Sequence, residues 1–219
     1  MQDSDISPAE RRRIRVREAI LEAAERVFGE EGEAGLSIRR IADEIDYSPA
    51  AIYKYFSSKD DLVDELKEAF FGRLLAVVHQ IADREEDFGA RARRCVTGYV
   101  TIAIEKPHHY VAAFSGVAEE AGDAGAPDRS CDQTNKQQAF SVLTAIMVEG
   151  TDNGHFRTSL DPVIAAQSVW ASIHGLAMMI AHLPEFPRTR MTPAAMPQGE
   201  FIAFHADLII RGLETGRTS

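Results

Sequence analysis

An all-α fold is what this sequence predicts, and three observations predict it. Apolar residues recur at the three- and four-residue spacing of amphipathic helices. Almost no run alternates with the period of two that a half-buried strand requires. Glycine- and proline-rich stretches fall between the periodic segments and not within them. The expected architecture is an N-terminal three-helix helix-turn-helix domain over residues 8–60, followed by a larger helical domain over residues 61–219. A chain of 219 residues buries roughly 70% of its unfolded surface, so its core needs no metal or disulfide staple.

The first helix is expected from Pro8 to Glu31. Ser7 and Pro8 form a cap and first-turn pair. Val16, Ile20, Ala23, Ala24, Val27 and Phe28 make one apolar stripe, and Gly32 and Gly35 end it. Ser37 then caps a short helix that turns Ile38, Ile41, Ala42 and Ile45 inward. Asp46-Tyr47 is a turn, and Ser48-Pro49 starts a second short helix running through Phe56. Ser57-Ser58 interrupts the chain before a longer helix from Lys59 to Arg84. No linker separates residue 60 from the larger domain, so the two domains are expected to share this helix. Further helices are expected over 88–105, 107–120, 133–153, 161–184 and 199–215, with Asp161-Pro162 opening the fourth of these. Residues 121–130 and the four-proline stretch 184–199 read as loops.

The segment from Pro162 to Pro184 has no formally charged residue over 23 positions, long enough to span a bilayer. Gln167, Ser168, Ser172, His174 and His182 within it, and the lack of a flanking Lys/Arg cluster, favour a helix buried in a core and an interface. No membrane partner is expected. Ala165, Ser168, Ser172 and Gly175 form a small-residue stripe that permits close helix approach. With Phe201, Phe204, Leu208, Ile209 and Gly212 of the last helix, they predict a homodimer interface. The two cysteines, Cys95 and Cys131, make no disulfide framework, and the N-terminus shows no signal-peptide pattern. A cytoplasmic protein is expected.

The net charge of −10 excludes a uniformly basic nucleic-acid binder. Arg11, Arg12, Arg13, Arg15 and Arg17 nevertheless fall within seven residues with no acid between them, a local patch suited to phosphate. It reads either as a phosphate or minor-groove arm or as the exposed face of the first helix.

Two short helices joined by a tight turn form a helix-turn-helix, whose second helix enters the major groove. The stretch IADEIDYSPAAIYKYFSSKDDL resembles the recognition motif of TetR/AcrR-type transcriptional regulators. The residues that carry the resemblance are Ser37, Ile41-Ala42, Ser48, Ile52-Tyr53-Lys54-Tyr55-Phe56 and Lys59. Two positions depart from that pattern. Asp46 stands where the family has glycine in the turn, and aspartate visits the left-handed conformation at modest cost. Ala50 stands where the family often has glycine early in the recognition helix. In the C-terminal half, Trp170, His174 and Gly175 resemble the Trp-x-x-x-His-Gly signature of one subgroup. EKPHHYVAAF (105–114) resembles that subgroup's Pro-x-x-Tyr-x-x-x-Phe helix start.

The resemblance implies that Tyr53 and Lys59 contact phosphates and that Tyr55 lies at the DNA surface. Ser48, Pro49 and Ala50 begin the recognition helix and are expected to approach base edges, with Lys54 beside them. A core aromatic clamping the two helices is the competing reading of Tyr53. Arg39 and Arg40, just after Ser37, open the preceding helix; one is expected to meet DNA and the other to be solvated. Double-stranded DNA with a palindromic operator is therefore an expected partner. So is a small-molecule effector, held by Tyr110, Phe114, Phe140, Met147, Trp170, His174 and Met178. That effector is expected to be mainly apolar or aromatic and without a strongly anionic group, because no basic cluster is expected in the region of helices from about 88 to 180. His108-His109 does not read as a metal site, since adjacent helical residues point about 100° apart. No cofactor is expected, and no catalytic motif appears. The sequence thus predicts a DNA-binding regulator, by resemblance a repressor. A helical-bundle enzyme or metalloprotein with an incidental helix-turn-helix is the alternative.

Overall fold

The computed structural model describes residues 7–82, 87–114, 134–188 and 196–216. Among them regular structure is helical, apart from one isolated antiparallel bridge between Phe156 and Glu214. The chain forms two compact units, Met1–Ala69 with His108–Ser115, and Phe70–Pro107 with Gly116–Ser219.

In the first unit α1 (Pro8–Gly35) is capped by Ser7, whose hydroxyl accepts from the Glu10 amide at 3.1 Å. Its helical geometry breaks at Gly32, where φ is +67°. The α2 helix (Ile38–Glu44) starts at Ser37, which accepts from the Arg40 amide at 3.2 Å. The turn after it puts Asp46 at φ +57°, the left-handed conformation expected of the residue replacing glycine. The α3 helix (Pro49–Ile52) starts at Ser48, which accepts from the Ala51 amide at 3.2 Å. Regular α geometry stops four residues short of Phe56. Bonds from Lys54 N to Ala51 O (3.2 Å) and from Tyr55 N to Ile52 O (2.8 Å) continue it as a tighter turn, a common way for a helix to close.

Side chains of α1–α3 and of α4 (Lys59–Ala82) build one apolar cluster around Ile20, Phe28, Ile41, Ile52, Phe56 and Leu62, all at most 1% exposed. The α4 start is fixed reciprocally: the Asp61 amide donates to Ser58 Oγ at 3.0 Å, and Ser57 N donates to the Asp61 carboxylate at 2.8 Å. That is a capping box displaced by one residue. The α6 helix (Pro107–Phe114) brings Ala112 into the same cluster. Positions 115–120, expected to continue this helix, lie outside the described residues, as do Cys131 and the loop 121–130.

In the second unit α5 (Phe88–Glu105) packs against α8 (Pro162–His182) and α9 (Gln198–Leu213), and α7 (Asn135–Asp152) packs against α8. Arg93 of α5 donates to Asp207 at 2.9 Å and to Glu214 at 2.8 Å, tying the end of the chain to α5. The α8 helix is long and apolar enough to cross a membrane, with a mean hydropathy of 1.5. Ala165, Ala166, Val169, Ile173, Leu176, Ala177 and Ile180 form its buried side.

The small-residue stripe needs correcting. Ala165 is buried, and Ser172 is half-buried with its hydroxyl 3.2 Å from His205 Nε2. The face left open is Ile164, Ser168, Ala171, Gly175 and Met179. The expected stripe falls on the flank of the helix because small residues occur on both faces. On α9, Phe204 and Leu208 are 54% and 58% exposed, and a methyl added at Gly175 or Gly212 would meet nothing within 4 Å.

Candidate nucleic-acid interface and effector site

The helix-turn-helix displays its polar end as the sequence suggests. Ser48, Pro49 and Ala50 are exposed at the start of α3. Tyr53 is 54% exposed and Lys54 is exposed beside it. The aromatic that clamps the helices is Tyr55, which packs against the apolar cluster. The periodicity explains the exchange: Tyr55 lies three residues after buried Ile52, whereas Tyr53 points away.

The cations divide into two sets. Arg40 pairs with Glu31, whose carboxyl that guanidinium holds below its ordinary range through a hydrogen bond. The Lys59 ammonium donates to the Glu33 carbonyl at 2.9 Å, capping the end of α1. Arg26 pairs with Glu44 at 3.3 Å. Arg39 and Lys54 remain exposed. Ser37, exposed at the start of α2, serves its own helix as a cap.

The residues expected to hold an effector fall into separate groups. Tyr110 and Phe114 pair on α6 of the first unit, ring centroids 5.0 Å apart, and Tyr110 is fully buried. Beside them His109 is 1% exposed. Its Nε2 lies 3.1 Å from the Glu25 carboxylate and its ring 4.9 Å from Phe28. Among the described residues no three potential metal ligands cluster.

In the second unit Trp170 stacks on His174 with centroids 5.0 Å apart. Met178 lies one turn further on, also half-buried. Tyr99 of α5 brings its hydroxyl 3.4 Å from His174 Nδ1. Sequence reasoning does not single out this tyrosine as a site residue, because only the fold brings positions 75 residues apart together. Burial pushes the His174 imidazole below its ordinary value, so it is neutral near pH 7. Met147 of α7 is 2% exposed. Phe140 is on α7, but its side chain lies outside the described residues. Burial raises the Cys95 thiol to about 11, so it carries no thiolate chemistry.

A basic run does occur on α5, at Arg91, Arg93 and Arg94, contrary to the expectation that the region holds none. Arg91 pairs with Glu149, and Arg93 with Asp207 and Glu214. Its charge is thus largely answered within the fold.

Residues 20–66 match the family described as bacterial regulatory proteins, tetR family. Residues 92–193 match the tetracyclin repressor-like C-terminal domain. The HTH-type transcriptional repressor KstR2 of Mycobacterium tuberculosis is 28% identical over 142 residues, 65% of this chain and 70% of that one. Its solved structure, described as a ketosteroid transcriptional regulator, superposes with a TM-score of 0.60 at 22% identity, covering 92% of this chain and 96% of that one. The fatty acid degradation regulator FadR from Bacillus halodurans gives a TM-score of 0.67 at 16% identity, covering 89% and 94%.

Proposed function

The chain belongs to the TetR family of DNA-binding transcriptional regulators, and from that premise we propose a repressor that a small, mainly apolar effector releases from a palindromic operator. The observation that carries the reading is the exposed end of α3. Pro49, Ala50, Tyr53 and Lys54 stand clear of the apolar cluster, beside Ser48, which caps the helix that presents them. Pro49 and Ala50 offer apolar contact to thymine methyls, and Lys54 and Tyr53 reach phosphates. Arg39 joins them. Arg40, Lys59 and Ser37 act chiefly by holding the motif together.

The protein works as a homodimer through the open faces of α8 and α9, which match the apolar, small-residue character of a self-complementary interface. Two-fold symmetry then demands a two-fold operator. The protein operates in the cytoplasm, where that operator is.

We assign the effector to the second unit, at Trp170, His174, Met178 and Tyr99. A neutral imidazole and a phenol beside an indole and a thioether suit an uncharged, largely apolar molecule with one or two polar groups. Relatives described as regulators of ketosteroid or fatty acid functions support that class. Met147, buried on α7 of the same unit, belongs to its core, and Tyr110 and Phe114 are left to the core of the first unit. Release requires different affinities for the two states. A coupling of ~1–3 kcal/mol weakens operator binding roughly 5–150-fold.

Selection of bound fragments from random DNA tests the reading, and a palindromic sequence is the expected yield. On that fragment Lys54→Ala weakens binding and lowers the salt slope by about 0.9 for each phosphate no longer neutralised. An unenriched pool would sink the assignment.

A further inference from the structure

Charge sets a problem for DNA binding that the helix-turn-helix alone does not solve. The family-matched segment 20–66 holds five Lys/Arg and twelve Asp/Glu, a net charge of −7. Three of those five cations are engaged internally: Arg26 with Glu44, Arg40 with Glu31, and Lys59 with the Glu33 carbonyl. Sequence-independent affinity for a duplex comes from neutralised phosphates, and Arg39 and Lys54 are a thin supply.

The missing cations stand just upstream of the matched segment. Residues 8–19 hold five arginines and two glutamates, a net charge of +3. They occupy the first three turns of α1. Arg12, Arg13 and Arg15 are exposed, and among the described residues none of the three has an acidic partner. Arg17 shows where this end of α1 lies within the first unit. Its guanidinium sits over the Phe56 ring, 5.1 Å from the centroid, and pairs with Glu65 of α4. Phe56 directly follows the Tyr53–Tyr55 turn. Arg13 precedes Arg17 by one helical turn, about 6 Å along the axis. The arginine run therefore begins beside the end of the recognition element and extends away from it. A core role does not account for these turns: among the described residues Val16 is the one before Ala19 that the apolar cluster buries.

We propose that Arg12, Arg13 and Arg15 form a second DNA-contact element, a phosphate clamp on the backbone next to the groove that α3 occupies. It lies outside the helix-turn-helix and supplies the electrostatic part of the affinity, while α3 supplies the sequence preference. The clamp rests on the proposed DNA-binding function, and the test separates the two.

The probe is the DNA fragment that the wild-type protein selects from a random pool. Binding is measured against salt for the wild type, for the triple variant Arg12→Gln/Arg13→Gln/Arg15→Gln and for the matching triple lysine variant. The glutamine variant is expected to keep its helix content and its preferred sequence. Its log–log salt slope falls by about 2–5 units, from about 0.9 per phosphate across two protomers. The lysine variant retains the wild-type slope, since a phosphate contact needs charge and not the guanidinium fork. Ethylation interference shows phosphates where modification blocks the wild type but not the glutamine variant. A glutamine variant with the wild-type slope and interference pattern overturns the clamp while leaving the regulator intact. A reduced slope in the lysine variant also overturns it, because the contact is then not to phosphate. A pool that yields no enriched sequence overturns the underlying function and the clamp with it.

Discussion

Asp46 and Gly32 both have positive φ, +57° and +67°, yet one is an L-residue and the other is not. Left-handed geometry costs an L-residue roughly 1–2 kcal/mol, while glycine costs about 0.5–1 kcal/mol in backbone freedom. Asp46→Gly is therefore expected to stabilise the fold by about 0.5–1 kcal/mol, read as a higher urea midpoint at constant m. Gly32→Ala goes the other way. The new Cβ meets His108 Nδ1 at 3.1 Å, and with ψ at −163° the backbone lies in a region essentially reserved for glycine, so the fold is destabilised by about 1–3 kcal/mol. A lower midpoint for Asp46→Gly would mean that the aspartate side chain contributes more to the turn than its backbone costs. The turn is legible from sequence because only a few residue types occupy such a position. The partners of Arg40 and Lys59 are not, since the identity of a cation does not tell which acid or carbonyl the fold brings to it.

The helices are legible wherever a cap and a periodic stripe coincide, as at Ser7-Pro8, Ser37, Ser48-Pro49 and Asp161-Pro162. The recognition element reads longer in sequence than its regular part because the Tyr53–Phe56 bonds tighten into a turn, which residue propensity does not distinguish from helix. The open face of α8 departs from the expected stripe, since alanine and serine suit either side of a helix. The Tyr99–His174 approach joins two elements whose packing no local pattern encodes. That packing has a pH signature. Burial lowers the imidazoles of both His174 and His205 below 6.5, so below that pH the unfolded chain binds more protons than the folded one. Their contribution is full above about pH 6.5 and is lost as pH falls through the depressed folded values. Thermal melts between about pH 7.5 and 5 should show declining stability, and His174→Gln/His205→Gln should flatten that decline. An unchanged slope would place the acid sensitivity in other groups.

The proposed dimer draws on α8 and α9 together and on neither alone. Val163, Ile164, Met179 and Leu183 from α8 and its C-terminal cap, with Phe204 and Leu208 of α9, are all 45–65% exposed. That is a density of large apolar side chains that a monomer in water has reason to cover. Gly175 sits within the open face of α8, and a methyl there meets nothing within 4 Å in the single chain. That makes Gly175→Leu a clean discriminator. The new Cβ meets no neighbour within the protomer, so a lost dimer with unchanged helix content points to a second copy that approaches closely over that glycine. Sedimentation at micromolar concentration should show a dimer for the wild type and monomer or aggregate for Gly175→Leu, with the helix content of both alike. Operator affinity should fall with the dimer, because a palindrome read by one half-site at a time forgoes the gain in effective concentration that two linked recognition helices supply. A Gly175→Leu protein that sediments as a dimer and binds the operator normally would move the interface off α8, and a monomeric wild type would remove the symmetry that calls for a palindrome.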